Sequence, residues 1–276
     1  MSSKTNQKQQ VQEQYGDANK LDLRNEIQEK FRTRGKPWFR WVFDHLNLPD
    51  NCRILELGGG SGTLWEENRE RIPPGWQITV TDLSRGILRA ARERVGDSLP
   101  ARHFITLDGQ HLPFPAGQFD CVLAIGVLDA VPDLKQALSE VWQVLRPSGV
   151  FVASAGGPAH LVELRRLLRP FLPAEKVESL GGDDAHFGLQ NGARHLESQF
   201  EEVARHNYSD MLVFETLQPI LDYVLSEQSL VWDVPLDKLS KFVHHVKDVM
   251  QSEGQIRVTV QKGIFIARKK GQRIDN

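Results

Sequence analysis

One stretch constrains this chain more than any other: Glu56-Leu57-Gly58-Gly59-Gly60-Ser61-Gly62, placed directly after an apolar strand, Arg53 to Leu57, and before a segment, Gly62 to Arg71, that can be helical. Glycines at a strand-to-helix turn permit positive φ and let the backbone approach a ligand closely. The alternation of strand and helix then continues along the chain. Gln77 to Asp82 is rich in β-branched residues and reads as a strand, and Ser84 can cap a helix whose apolar positions Ile87, Leu88, Ala91 and Val95 have helical spacing. His103 to Leu107 and the almost wholly apolar Phe119 to Ile125 are two more strands, the second suited to the centre of a parallel sheet. Leu134, Ala137, Leu138, Val141 and Leu145 make an amphipathic helix, stopped by Pro147 and Gly149 before a fifth strand, Val150 to Ser154. Such alternation means an α/β fold, a mostly parallel sheet with helices on both faces.

The flanks are less regular. Residues 1–16 are polar and Gln-rich and are expected to form a disordered tail, with no signal peptide. Leu23, Ile27 and Phe31 then recur at helical spacing, Gly35 and Pro37 break the pattern, and a second helix runs from about Trp38 to Leu46. Beyond Gly156, residues 158–172 look helical, Gly181 to Asp184 is a loop, and Phe200 to Phe214 contains strand-like pieces. Two helical stretches lie near 217–226 and 235–252, and Arg257 to Arg268 reads as a hairpin or bulged pair around Lys262-Gly263. A chain of 276 residues that is 40% hydrophobic buries a core without disulfide staples, and Cys52 and Cys121 make neither a framework nor a ligand cluster. A net charge of -2 gives no basic excess for nucleic acid or an anionic membrane, and the basic residues Arg268, Lys269, Lys270 and Arg273 read as a solvated tail. No apolar run is long enough to span a bilayer, so a soluble cytoplasmic protein with no membrane or nucleic-acid partner is expected.

The glycine turn carries an acid at its head. A carboxylate such as Glu56 repels a phosphate and suits an ammonium, and S-adenosylmethionine (SAM) has an ammonium, a sulfonium and no phosphate. The dinucleotide fingerprint needs glycine at the sixth position of G-x-G-x-x-G, and counting from Gly58 that position is Thr63. A Walker-type loop fails because no Gly-Lys-Ser/Thr is present after the turn. Asp82 stands 20 positions after Gly62 at the end of the second strand, where an acid accepts hydrogen bonds from both ribose hydroxyls. Asp108-Gly109 comes after the third strand, where an aspartate can accept from an adenine amine. Each acid has a plainer reading, as a helix cap for Asp82 and a turn residue for Asp108. Three acids at three consecutive strand ends favour the ligand.

From Arg53 to Ser154 the chain resembles the SAM-binding core of class I methyltransferases, in the small-molecule group that includes the ubiquinone/menaquinone C-methylases. ILELGGGSG resembles that family's first motif and VTDLSRGIL its second. DGQHLPFPAGQFDCVLAIGVLDAVPD resembles the next two, and LRPSGVFVAS the stretch around strand five. The resemblance implies a Rossmann-like, seven-stranded, mostly parallel sheet with its last strand antiparallel. Around a SAM-binding core over 51–156, the Leu23, Ile27 and Phe31 stripe needs an apolar partner, so residues 17–50 are expected to form an N-terminal helical lid over the SAM cleft, the alternative being a helix packed permanently on the outer face. The changed pattern after Gly156 makes 157–276 a helical substrate-side insertion with terminal strands of the same domain. Position by position, the resemblance implies that Glu56 and the turn with Gly58, Gly60 and Gly62 hold the methionine part of SAM. Asp82 would bind the ribose, Leu83 would lie against the adenine, and Asp108 and Gly109 would face the adenine edge. Ile125 would offer its carbonyl to the ammonium, and Tyr15, on the lid, is expected near the donor. Many relatives have Cys at the position of Gly59 and His after strand four, where this chain reads Leu128-Asp129-Ala130.

On the acceptor side the expected catalytic residues are Asp129, His160 and His186, none with an orienting partner visible in sequence. Asp183, Asp184 and His186 share a loop, which reads as solvated rather than as a metal site, so no metal is expected. Trp38 and Trp41 read as packing residues. The function expected is transfer of a methyl group from SAM to O, N, C or S of a small-molecule acceptor. The rivals are a methyltransferase acting on RNA or protein, an NAD-type oxidoreductase, and a non-catalytic SAM-binding protein.

Overall fold

A computed structural model describes residues 18–181, 185–227 and 234–269. The tail of residues 1–16, Tyr15, Asp183 and Asp184 lie outside the described residues. In chain order the elements are α1 (Ala18–Phe31), α2 (Trp38–Asp44), β1 (Asn51–Leu57), α3 (Thr63–Glu67), β2 (Gly75–Asp82), α4 (Arg85–Val95), β3 (Ala101–Thr106) and β4 (Phe119–Ala124). Then come α5 (Leu134–Val144), β5 (Leu145–Gly156), α6 (Val162–Leu168), α7 (Ala174–Glu178), α8 (Gly192–Glu197), β6 (Glu201–Phe214), α9 (Gln218–Ser226), α10 (Leu236–Glu253) and β7 (Ile256–Arg268). Short 3-10 turns cover Arg69–Arg71 and Leu128–Ala130.

The seven strands form one sheet in the order β3-β2-β1-β4-β5-β7-β6. β1 to β5 are mutually parallel, and β7 runs antiparallel between β5 and β6. The chain starts at the centre, moves outward to β3, then returns to β4, so the strand order reverses between β1 and β4. Ligands of open α/β sheets bind outside the carboxyl ends of the strands at such a reversal.

Both faces of the central strands are covered, which is why their sequence is continuously apolar. Leu55, Leu57, Val122, Ala124, Phe151 and Phe265 face α5 residues Leu138 and Val141 on one side. Ile54, Ile78, Val80, Cys121, Leu123, Val152 and Ile264 pack with Trp65 and Leu88 on the other. Ser84 caps α4 by accepting from the Ile87 N–H at 3.3 Å, as its sequence position suggested. A third apolar cluster joins α6, α9 and α10 to Val258 and Val260 of β7 and to Ile27 of α1. Trp38 and Trp41 stack on each other with centroids 5.5 Å apart and both meet Tyr208. Cys52 and Cys121 are buried free thiols.

Three expectations need correction. Arg257 to Arg268 is not a hairpin: it lies within β7, with Lys262 and Gly263 mid-strand opposite Gly156 and Ala155 of β5 and Tyr208 and Asn207 of β6. Gly263 serves close packing there, since a Cβ on it would lie 2.5 Å from the His206 carbonyl oxygen. The helix expected from Gly62 to Arg71 stops at Glu67, because Asn68 leaves helical geometry at φ -115° and turns its side-chain amide onto the Leu64 carbonyl at 2.8 Å. The fifth strand starts at Leu145 rather than Val150, and absorbs Pro147 and Gly149 in an irregularity where Ser148 takes a φ of 62°.

Candidate functional site

The glycine turn leaves β1 at Gly58, which has a φ of 60°, and enters α3 through Gly62 with a φ of 83°. Gly60 also has positive φ, at 54°. A Cβ on Gly58 would lie 2.4 Å from Val127 Cγ2, so the turn after β1 and the turn after β4 touch across the point of strand reversal. The β4 turn is fixed in its own right: Gly126 N–H donates to Ser154 Oγ at 2.7 Å.

Two carboxylates organise this turn. Asp82, at the tip of β2, accepts from the Gly60 N–H at 3.1 Å and the Ser84 N–H at 2.8 Å. Burial pushes its carboxyl above the ordinary aspartate value, against the pull of those backbone donors. Glu56 lies beneath the turn, 2% exposed, with Oε2 accepting from the Trp65 indole at 2.5 Å. Burial pushes Glu56 up to about 7; the Trp65 donor opposes the rise and the Asp82 charge adds to it. A Cβ on Gly59 would sit 2.7 Å from Glu56 Oε2. The absence of a side chain there is what leaves room for the longer acid.

Asp108 lies just past β3, and its Oδ1 accepts from the Gln110 N–H and side-chain amide, each at 3.0 Å. Gln110 in turn accepts from the Asp133 N–H at 2.9 Å, tying the β3 loop to the start of α5. Glu56, Gly58, Gly60, Gly62, Asp82, Leu83, Asp108, Gly109 and Ile125 therefore all lie at or next to the carboxyl ends of β1 to β4. The catalytic candidates are dispersed. Asp129 sits in the 3-10 turn after β4. His186 lies beside Val131, its Nε2 2.8 Å from that carbonyl oxygen. His160 is 4% exposed behind the end of β5, and burial, with Lys262 and Arg165 nearby, holds its pKa well below the ordinary histidine value.

Residues 55–153 match the family described as Methyltransferase domain. Within that segment the chain is similar to a methyltransferase domain. Among curated proteins, the chain is similar to the ubiquinone/menaquinone biosynthesis C-methyltransferase UbiE of Hahella chejuensis, 30% identical over 137 residues, which are 48% of this chain and 53% of that one. It is 27% identical over 157 residues to the protein of the same name from Bordetella parapertussis, covering 57% of each. The chain thus spans little more than half the length of the curated relatives it matches. In fold it is similar to the 4+2 cyclase SpnF, with a TM-score of 0.62, 16% identity, and coverage of 96% of this chain and 97% of that one. Phosphoethanolamine N-methyltransferase 2 of Haemonchus contortus, solved with SAM, gives a TM-score of 0.57 at 15% identity over 92% of this chain and 57% of that one.

The surroundings of the glycine turn hold residues that local patterns did not single out. Arg94 of α4 donates to both oxygens of Asp22 on α1, at 2.9 and 2.5 Å, and to Ser61 Oγ of the glycine turn at 2.9 Å. Ser61 Oγ also bonds Asp22. Leu21 packs on the same turn, since a Cβ on Gly60 would lie 3.0 Å from its Cδ2. The far side of α1 is anchored on α9, where Arg24 donates to the Ser226 carbonyl at 2.8 Å and pairs with Glu227 at 3.3 Å. The expected apolar stripe is thus half the account: Ile27 is buried, and the polar contacts of Asp22 and Arg24 in its first half hold the helix on two sides. Among the described residues no group of His, Cys, Asp and Glu forms a metal site, and no helix is long and apolar enough to cross a membrane.

Proposed function

We propose that this protein transfers a methyl group from SAM to a small molecule. The observation that carries the reading is the glycine turn at the strand reversal, tied through Gly60 to Asp82 and underlain by Glu56. These residues fit SAM. The cradle at Gly58 has no room for a side chain, and a buried carboxyl near neutrality is one that an ammonium beside it brings to full charge. Glu56 and the Gly58–Gly62 turn receive the methionine part, Asp82 the ribose hydroxyls, Leu83 the adenine face, Asp108 and Gly109 the adenine edge, and the Ile125 carbonyl the ammonium.

SAM, when bound, supplies a methyl group already activated on a sulfonium. The protein's share is therefore orientation and exclusion of water, and positioning of this kind accounts for roughly 7–11 kcal/mol of a barrier. The C-methyltransferase name of the relatives favours carbon as the methylated atom. Segment 157–276 forms the acceptor side of the site. Asp129, His160 and His186 are the side chains from which a proton acceptor would be drawn.

Calorimetry on Asp82→Ala tests the assignment. That change strands two ribose hydroxyls and lowers SAM affinity by about 2–4 kcal/mol. Asp82→Asn keeps an acceptor for only one of the Gly60 and Ser84 N–H groups and turns an amide N–H toward the other, so its amide hydrogen exchange at Gly60 and Ser84 is read beside the SAM affinity to separate the ribose contact from the fold of the turn. Unchanged SAM affinity in both variants refutes the role.

A further inference from the structure

The mid-strand lysine of β7 has a setting that the cofactor site does not explain. Lys262 faces Gly156 at the carboxyl end of β5, two residues beyond the pair Ser154–Ile264. Ser154 is the residue that holds the turn after β4. Lys262 therefore stands at the same sheet edge as the SAM turn, one strand further along. Its Nζ donates to Gln28 Oε1 of α1 at 2.6 Å and lies 5.3 Å from the centre of the Trp38 ring. Among the described residues no carboxylate pairs with it, and loss of water alone pulls its pKa down to about 8.

Beside it lies the second unmatched group. The His160 ring is buried, and its Nδ1 has no hydrogen-bond partner. A Cβ built on Gly181 would lie 3.1 Å from the ring, so that glycine makes room for it, and one on Gly156, the β5 partner of Lys262, would touch the ring at 3.6 Å. Arg165 adds positive charge from below, donating to the His160 carbonyl at 2.6 Å. An ammonium and an imidazole held in partly or fully desolvated positions without an anion are costly for the folded chain. A ligand oxyanion matches both.

The geometry points to Lys262, with His160, as the group that binds an oxyanion of the methyl acceptor, a carboxylate or an ionised hydroxyl. This rests on the methyl-transfer reading and adds the acceptor's charge to it. In the reaction, an electron pair of the acceptor forms the bond to the methyl carbon, the sulfur–methyl bond breaks, and its electron pair stays on sulfur as a neutral thioether. Lys262 keeps its protons throughout and acts as a positioning cation.

The test uses the full chain saturated with S-adenosylhomocysteine, titrated with benzoate, 4-nitrophenolate and the neutral analogues benzamide and 4-nitroanisole. Wild type is expected to prefer at least one oxyanion over its neutral analogue by about tenfold or more, as a charge-assisted contact implies. Benzoate and 4-nitrophenolate separate the two oxyanion types. Lys262→Met is expected to lose that preference with its S-adenosylhomocysteine affinity unchanged and its melting temperature not lowered, and Lys262→Arg to retain the preference in part. Equal oxyanion binding by Lys262→Met, or no oxyanion preference in wild type, overturns the proposal. Failure of wild type to bind S-adenosylhomocysteine counts against the methyl-transfer reading instead, and the same titration without it still reads the oxyanion preference.

Discussion

Replacing Asp22 with Asn isolates the latch between the N-terminal helix and the glycine turn. Asp22 takes two hydrogen bonds from Arg94 and one from Ser61, at a site where the Arg94 and Asp22 side chains are 27% and 16% exposed. A hydrogen bond to a charged partner contributes about 1.5–3 kcal/mol when well buried. Partial exposure and the oxygen that Asn retains reduce the expected loss to about 1–2 kcal/mol. That is roughly a 5- to 30-fold rise in opening of the first turns of α1. Arg24, two positions along, still holds the helix to Ser226, and the far end stays pinned by Gln28, whose amide donates to the Tyr223 hydroxyl at 3.0 Å and whose Oε1 accepts from Lys262 at 2.6 Å. Amide hydrogen exchange measured by mass spectrometry should therefore show faster exchange at the start of α1 and little change at its end. SAM should dissociate faster, while the melting temperature moves little. Unchanged exchange in α1, or a uniform increase across the sheet, refutes the view of α1 as a lid latched to the SAM turn.

Glu56→Gln tests the buried acid through pH. The folded-state pKa of Glu56 is raised to about 7 from 4.5, so the native state holds a proton that the unfolded state has lost between those values. The resulting penalty is absent below about pH 4.5, grows as pH rises toward 7, and is then constant at about 3 kcal/mol. The neutral Gln escapes it, so denaturant titrations should show the variant gaining stability on wild type from pH 5 to pH 8, and a constant difference would contradict the shift. Asp129→Asn and His186→Ala should each lower kcat by less than about a hundredfold, the low end of what an essential general base supplies. A thousandfold loss in either, with SAM affinity unchanged, would identify that residue as the base.

β1, β2, β4 and the second half of β5 were legible because each is an apolar run ended by a glycine or an acid and largely buried on both faces, whereas β3 is a largely exposed edge strand placed by its position in the alternation. The candidate cofactor edge was legible for the same reason: Glu56, Asp82 and Asp108 sit at strand ends, so finding the strands found the acids. The C-terminal strands were harder. A lysine next to a glycine normally ends a strand, and only the approach of the His206 carbonyl and the Trp38 ring explains why β7 runs straight through Lys262 and Gly263. The contacts of α1 left no local trace at all. Asp22 and Arg94 are 72 positions apart, and Arg24 and Ser226 are 202 apart, so no periodicity connects them.

The central claim is that the turn at the strand reversal receives SAM. Isothermal calorimetry on the full chain with SAM, S-adenosylhomocysteine and NAD tests it most directly. The account predicts binding of the first two and none of NAD, because Glu56 opposes a phosphate and Thr63 stands where the dinucleotide fingerprint needs glycine. Tight binding of NAD with no binding of SAM would contradict it.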